Sequence, residues 1–241
     1  MISSFKIKLI ATLWLSTTLL CAAQTAKDHF FMPRNQICML TGFEQIQWKT
    51  YWEGSLYRDN PNIGIHKRNM FHQMAAIGLT EKLNLLAHIP YVSTKNTAGN
   101  LLGQSGWQDV QLHLKYALLS KKNMQLIAVL GGGLPSNRYD SEFQPMSIGA
   151  GCSFLTGRLL LHHSFRSFYL TGHSGLQRNG ISRLDRNAYL YGSQLIYSSN
   201  VNVPDVLENG LKVGRYKNGV QLEVGVEQFS CLTGDDMARN G

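Results

Sequence analysis

The sequence predicts an all-β chain, a transmembrane antiparallel up-and-down β-barrel of about 10–12 strands. Three observations carry that expectation. The first is a hairpin. In WQDVQLHLKYAL, Val110, Leu112, Leu114, Tyr116 and Leu118 share one face, and Asp109, Gln111, His113 and Lys115 share the other. Period-two alternation held over roughly ten residues marks a strand with one face in an apolar medium and one in water. After the polar break Ser120-Lys121-Lys122-Asn123, Met124, Leu126, Ala128 and Leu130 resume the pattern. A globular strand averages about five or six residues, whereas a tilted strand needs about ten to cross a bilayer. The second observation is that the connections alternate. They are short at 79–82, 119–122 and 156–157 and long at 58–69, 93–106, 135–145 and 170–186, like the short periplasmic turns and long external loops of outer-membrane barrels. The third is the N-terminus. Lys6 and Lys8 precede an apolar run from Leu9 to Leu20, and Cys21-Ala22-Ala23 is a small-x-small site before Gln24. Residues 1–23 therefore read as a secretory signal peptide.

The elements follow in order. Residues 24–44, mixed and aromatic, read as a periplasmic lead-in or as a plug segment in the barrel mouth, and residues 45–241 as the barrel domain. A first strand is expected over Gln45–Tyr57, where Trp48, Tyr51, Trp52 and Tyr57 suit the headgroup belts of a barrel. Met70–Gly78 makes a second strand and Leu83–Tyr91 a third, in which Pro90 deletes a ladder hydrogen bond and should mark an end or a bulge. Beyond the hairpin, Met146–Phe154 alternates Ile148, Ala150, Cys152 and Phe154 against Gly149, Gly151 and Ser153. Arg158–Tyr169 follows, then a polar, Gly-rich loop over 170–186, then a strand over Ala188–Ser198. Leu207–Tyr216 and Val220–Phe229 flank Asn218-Gly219, the strongest type I′ hairpin signal in the chain. The closing GDDMARNG is turn chemistry, so the barrel either closes at about ten strands or lacks a final hairpin.

Composition excludes several classes. Charged residues are 16% of 241, with 23 glycines and 44% hydrophobic residues, which does not fit disorder. Beyond the first twenty-odd residues no run of about eighteen apolar residues occurs, so helical membrane spans are excluded. Removing Lys6 and Lys8 lowers the formal charge of +8 to about +6. Those charges are scattered, with no basic run for nucleic acid. Cys38, Cys152 and Cys231 show no CxxC spacing and imply no zinc site or disulfide framework. Cys152 reads as a small buried hydrophobe, and Cys38 with Cys231 is the candidate pair in an oxidising compartment.

Three segments, GLTEKLNLLAHIPYV (78–92), GWQDVQLHLKYALL (106–119) and LGGGLPSN (130–137), carry a family resemblance. Over roughly residues 45–235 the chain resembles the outer-membrane transporter barrels grouped with the MetA-pathway phenol-degradation proteins, FadL-like in style. The Gly-Leu-Thr turn, the Pro-Tyr-Val strand end, the Gly-x-x-Asp entry and the Leu-Pro after a glycine run are the shared features. Trp107-Gln108 stands where a smaller, Gly-containing pair is usual, Ser136-Asn137 where Thr-Gly is common, and the chain ends early. The resemblance implies a barrel that passes small, often apolar or aromatic compounds, and it brings no catalytic residues.

The expected water-facing set is His88, Asp109, His113, Lys115, His162, Arg166, Lys212, Glu223 and Glu227. Mixed charges lining a lumen select solutes by size and sign; the same charges also fit salt-bridged packing that fills a narrow barrel. His162 and His163 point to opposite faces and cannot share an ion. Ser164 has no nucleophile-elbow motif, and Gly131-Gly132-Gly133 is followed by no helix and no Lys-Ser/Thr. The glycine run instead allows a bend or a close backbone approach. The expectation is a passive outer-membrane channel without enzymatic activity or cofactor, in contact with lipid and a small-molecule solute and not with nucleic acid. The alternative is a structural or interaction barrel whose external loops bind a partner.

Overall fold

The computed structural model describes residues 24–53, 56–191, 193–218 and 220–233. The signal-peptide expectation for 1–23 and the closing residues 234–241 lie outside them. Every regular element described is a strand: β1 (Ile37–Trp48), β2 (Thr50–Glu53), β3 (Leu56–Asp59), β4 (His66–Thr80), β5 (Leu83–Asn96), β6 (Ser105–Trp107), β7 (Val110–Lys121), β8 (Met124–Leu134), β9 (Phe154–Phe165), β10 (Phe168–Asn179), β11 (Ile181–Arg183), β12 (Tyr189–Tyr191), β13 (Gln194–Ile196), β14 (Asn200–Asn202), β15 (Val206–Lys217) and β16 (Val220–Cys231).

The long strands pair antiparallel in the order β1-β4-β5-β7-β8-β9-β10-β15-β16, with β6 also against β5. The meander curls into a half-barrel whose edges are β1 and β16. Among the described residues the sheet holds ten strands, nine on this path and the short β6 off it. Short turns at 81–82, 122–123, 166–167 and 218–219 alternate without exception with long connections at 49–65, 97–109, 135–153 and 180–205. All tight turns therefore lie at one end of the sheet and all long loops at the other.

Five expected elements are corrected. The first long strand starts at Ile37, inside the expected lead-in, and Thr50–Asp59 forms a separate small hairpin. Met146–Phe154 is not a strand until its last residue; it is loop, and its apolar residues are buried because the loop folds inward, with Met146 and Ile148 at 0% and 2% exposure. Thr156-Gly157 lies within β9, and the turn comes at Arg166-Ser167, where Arg166 takes a left-handed φ of 54°. The expected loop 170–186 begins as β10, and the expected strand 188–198 is the short hairpin β12–β13 within the long connection.

Pro90 lies inside β5, and the ladder adapts to it. The β5–β7 pairing ends at His88↔Gln111, and β6 takes over at Tyr91↔Trp107. The residue with no N–H to donate falls in the gap between two partner strands.

The polarity of the sheet is inside out compared with a soluble sandwich. On the convex face Leu112, Leu130, Leu159 and Val224 are 53%, 66%, 55% and 81% exposed. On the concave face Asn84, His113, Lys115, His162, Thr171 and His173 are buried. A soluble β-protein reverses this arrangement, because burying aliphatic surface is the main gain of its folding. Near the long-loop end, Phe43, Phe71, Tyr91 and Trp107 stand in one register line across β1, β4, β5 and β6, all exposed. Near the tight-turn end the exposed Phe165 and Phe168 face each other, with Tyr116 also exposed on β7.

Candidate functional site, the plugged concave face

Residues 24–36 run across the concave face, held by charges on both walls. Asn35 donates to the Gly78 carbonyl at 2.8 Å and Arg34 N–H to Glu81 at 3.4 Å, which fixes the segment at the tight-turn end. From there it makes two opposite electrostatic contacts with consecutive residues. Lys115, on β7, donates its three ammonium hydrogens to Asp28 Oδ1 (2.7 Å), the Phe30 carbonyl (2.9 Å) and the Thr25 carbonyl (3.1 Å). That satisfies every donor of a side chain with no exposed surface. The Phe31 ring lies 5.2 Å from the same nitrogen. Lys27 reaches the other wall, bridging Glu208 on β15 and Glu227 on β16, the latter at 2.9 Å. Arg158 on β9 donates to Glu208 at 2.8 Å and to the Ala26 carbonyl at 3.2 Å. His29 stacks on His162, with ring centroids 3.5 Å apart. Burial, together with the neighbouring His162 and Lys115, pushes His29 down to about 3.

A cavity of about 730 Å³ lies beside this segment. Gln24–Lys27 border it on one side, and Asp109, Ala150 and Cys152 of the long loops on another. The loop 135–153 is folded inward there. Arg68 on β4 donates to the Ile148 carbonyl at 3.0 Å, and Thr94 on β5 to the Met146 carbonyl at 2.7 Å. Tyr139 donates its phenol to Asp109 at 2.6 Å and accepts from the Gly151 N–H. Burial, with the Asp109 carboxylate beside it, raises the Tyr139 phenol well above its usual range. On the β1–β7 wall of the cavity, His72 Nε2 lies 3.1 Å from Glu44, His72 Nδ1 2.9 Å from His88 Nε2, and His113 Nε2 3.5 Å from Gln111. Neutral rings satisfy this chain if His88 Nε2–H donates to His72, whose own Nε2–H donates to Glu44.

Of the nine expected site residues, eight face the concave side and one does not. His88, Asp109, His113 and Lys212 line the cavity. Lys115 and His162 are covered by the N-terminal segment, and His162 is bonded to Thr171 at 2.8 Å. Glu223 and Glu227 pair with Lys212 at 3.3 and 3.9 Å, and Tyr169 donates to Glu223 at 2.8 Å. Arg166 is the correction: it occupies the two-residue turn and lies over the Phe165 ring, 5.4 Å from its centroid, away from the lumen side. His163 is exposed on the opposite face from His162. Cys152 is buried as expected but in a loop, and Cys231 is a free, exposed thiol that does not pair with Cys38.

Sequence reasoning missed the strongest charges. Glu208 accepts from Arg158, from His173 Nε2 (3.1 Å) and from Lys27. Arg158 and Glu208 were legible, since each sits four residues from an inward residue already identified, His162 and Lys212. His173 was hidden with its strand. Glycines make room for these rings. Gly210 and Gly214 are the register partners of His173 and Tyr169, and a Cβ on either would fall 2.1–2.2 Å from the ring. Gly131, first of the glycine run, is likewise paired with His113, the close approach expected of that run.

His173, Glu208 and Glu227 place ligand atoms within 4.8 Å of one another, as a metal site would. The Lys27 ammonium already bridges both carboxylates there. No family model matches the chain, and no curated protein matches it.

Proposed function

We propose that the chain is a membrane-embedded β-barrel of the bacterial outer membrane, passing small molecules passively through a polar interior that its N-terminal segment plugs. The observation that carries this reading is the inverted polarity: exposed Leu and Val on the convex face, buried Lys115, His113 and His162 on the concave one. Twelve-residue strands such as β7 and β9 extend about 40 Å at roughly 3.3 Å per residue. Tilted by about 40°, they span about 30 Å, the thickness of a hydrocarbon core. Aromatic residues near both ends of the sheet and strictly segregated turns support the same reading. The solutes are small, apolar or aromatic bodies included, since Met74, Phe154 and Phe229 join the charged groups around the cavity.

The test is reconstitution. Purified protein should need detergent for extraction, should run at different gel positions before and after boiling, and should conduct in planar bilayers. A variant lacking residues 24–34 should conduct more. Protein soluble without detergent, or a plug deletion with no gain in conductance or solute flux, overturns the proposal.

A further inference from the structure

The Lys27 seat is built to hold an ammonium group. Glu208 and Glu227 grip the nitrogen from two strands, and the Phe229 ring lies 5.3 Å from it. Two carboxylates and an aromatic face are the usual partners of an organic cation. Behind them His173 is 6% exposed, donates its Nε2–H to Glu208, and leaves its Nδ1 without a partner. The seat opens on the cavity, which Lys27, Glu208, Lys212 and Phe229 all line. The local charge is balanced only with Lys27 in place. Lys27, Arg158 and Lys212 face Glu208, Glu223 and Glu227, three permanent charges of each sign. Withdrawing Lys27 leaves one net negative charge, which suits a monovalent cation. A divalent ion would be left undercompensated and would gain nothing from Phe229.

We propose that this seat is a binding site for small primary amines in their ammonium form, and that Lys27 is its tethered competitor. The proposal deepens the plugged-barrel reading and rests on it, by naming an amine with an apolar body as a solute class. When the N-terminal segment leaves, the solute's ammonium takes the place of Lys27 Nζ between Glu208 and Glu227, and its apolar part lies along Phe229 into the cavity. A tethered group acts at a local concentration on the order of millimolar. Free amine therefore binds the wild-type chain weakly.

The experiment is calorimetric titration of n-butylammonium into the full chain in detergent micelles, which needs no pore and so separates this proposal from the channel reading. Lys27→Ala is expected to bind n-butylammonium at least tenfold more tightly than wild type. Glu227→Gln in the Lys27→Ala background should abolish most of that gain, and n-butanol should not bind at the site. Lys27→Met, which keeps the stem, serves as the second variant and should also tighten binding. Folding of each is checked by circular dichroism and gel mobility. Equal affinity in wild type, Lys27→Ala and Lys27→Met overturns the proposal. So does equal binding of n-butanol, or tighter binding of calcium or zinc than of n-butylammonium by Lys27→Ala.

Discussion

Replacing Asp28 by Asn removes the carboxylate from the Lys115 ammonium, a side chain with 0% exposure that lies 2.7 Å from Asp28 Oδ1. Deleting one partner of a buried ion pair costs about 3–5 kcal/mol, because the other charge is left buried and unpaired. Here the segment can detach and let water reach Lys115, so the lower end applies, about 3 kcal/mol. At about 1.4 kcal/mol per decade, the ratio of docked to released segment falls roughly a hundredfold. Amide hydrogen exchange over residues 25–33 should accelerate by about that factor, while amides of β7–β9 keep their protection. Lys115→Met in the Asp28→Asn background removes the stranded charge and should restore most of the protection. Exchange in Asp28→Asn equal to wild type, or a double variant no better protected than the single one, would refute the reasoning.

Three further outcomes are expected. His29 is held near 3 when docked and titrates near 6.5 when released, so docking is full above about pH 6.5 and weakens as pH falls from there toward 3; exchange over residues 25–33 should rise between pH 7.5 and 4.5, with the slope reduced in His29→Phe. Gly210→Ala puts a methyl group where the His173 ring lies and should cost about 1–3 kcal/mol in urea unfolding from vesicles; a neutral result would mean that His173 need not sit there. Leu159→Arg, on a face 55% exposed, should cost about 2–4 kcal/mol if that face meets lipid and under about 0.5 kcal/mol if it meets water.

The parts of the fold legible in the sequence were those where chemistry alternated with the backbone. Val110 to Leu118 and Val220 to Val226 declare their strands because exposed aliphatic residues alternate with polar residues of the concave face at every step. β10 was illegible because Gly172 and Ser174 on one face meet Gly175 and Gln177 on the other, and small polar residues on both sides erase the period. Met146–Phe154 misled in the opposite direction. Its alternation of Ile148, Ala150 and Cys152 with glycine and serine comes from a loop packed into the interior, where burial follows local packing and not a pleat. Along the site, parity on β7, β15 and β16 placed Lys115, Lys212, Glu223 and Glu227 on the inner wall. Their partners Lys27 and Asp28 carry no periodic signal, since an irregular segment has no period to read, and only the tertiary path brings them to opposite walls.

The central claim is that the convex aliphatic face meets lipid and the concave face meets water. Nitroxide labels on single cysteines at Leu130, Leu159 and Val224, and at Glu223 on the concave wall, test it most directly, in a background with Cys152 and Cys231 replaced by Ser. In vesicles the three convex sites should relax strongly with molecular oxygen and weakly with a water-soluble nickel chelate, and the concave site the reverse. Convex sites that relax with the nickel chelate as readily as Glu223 does would contradict the account.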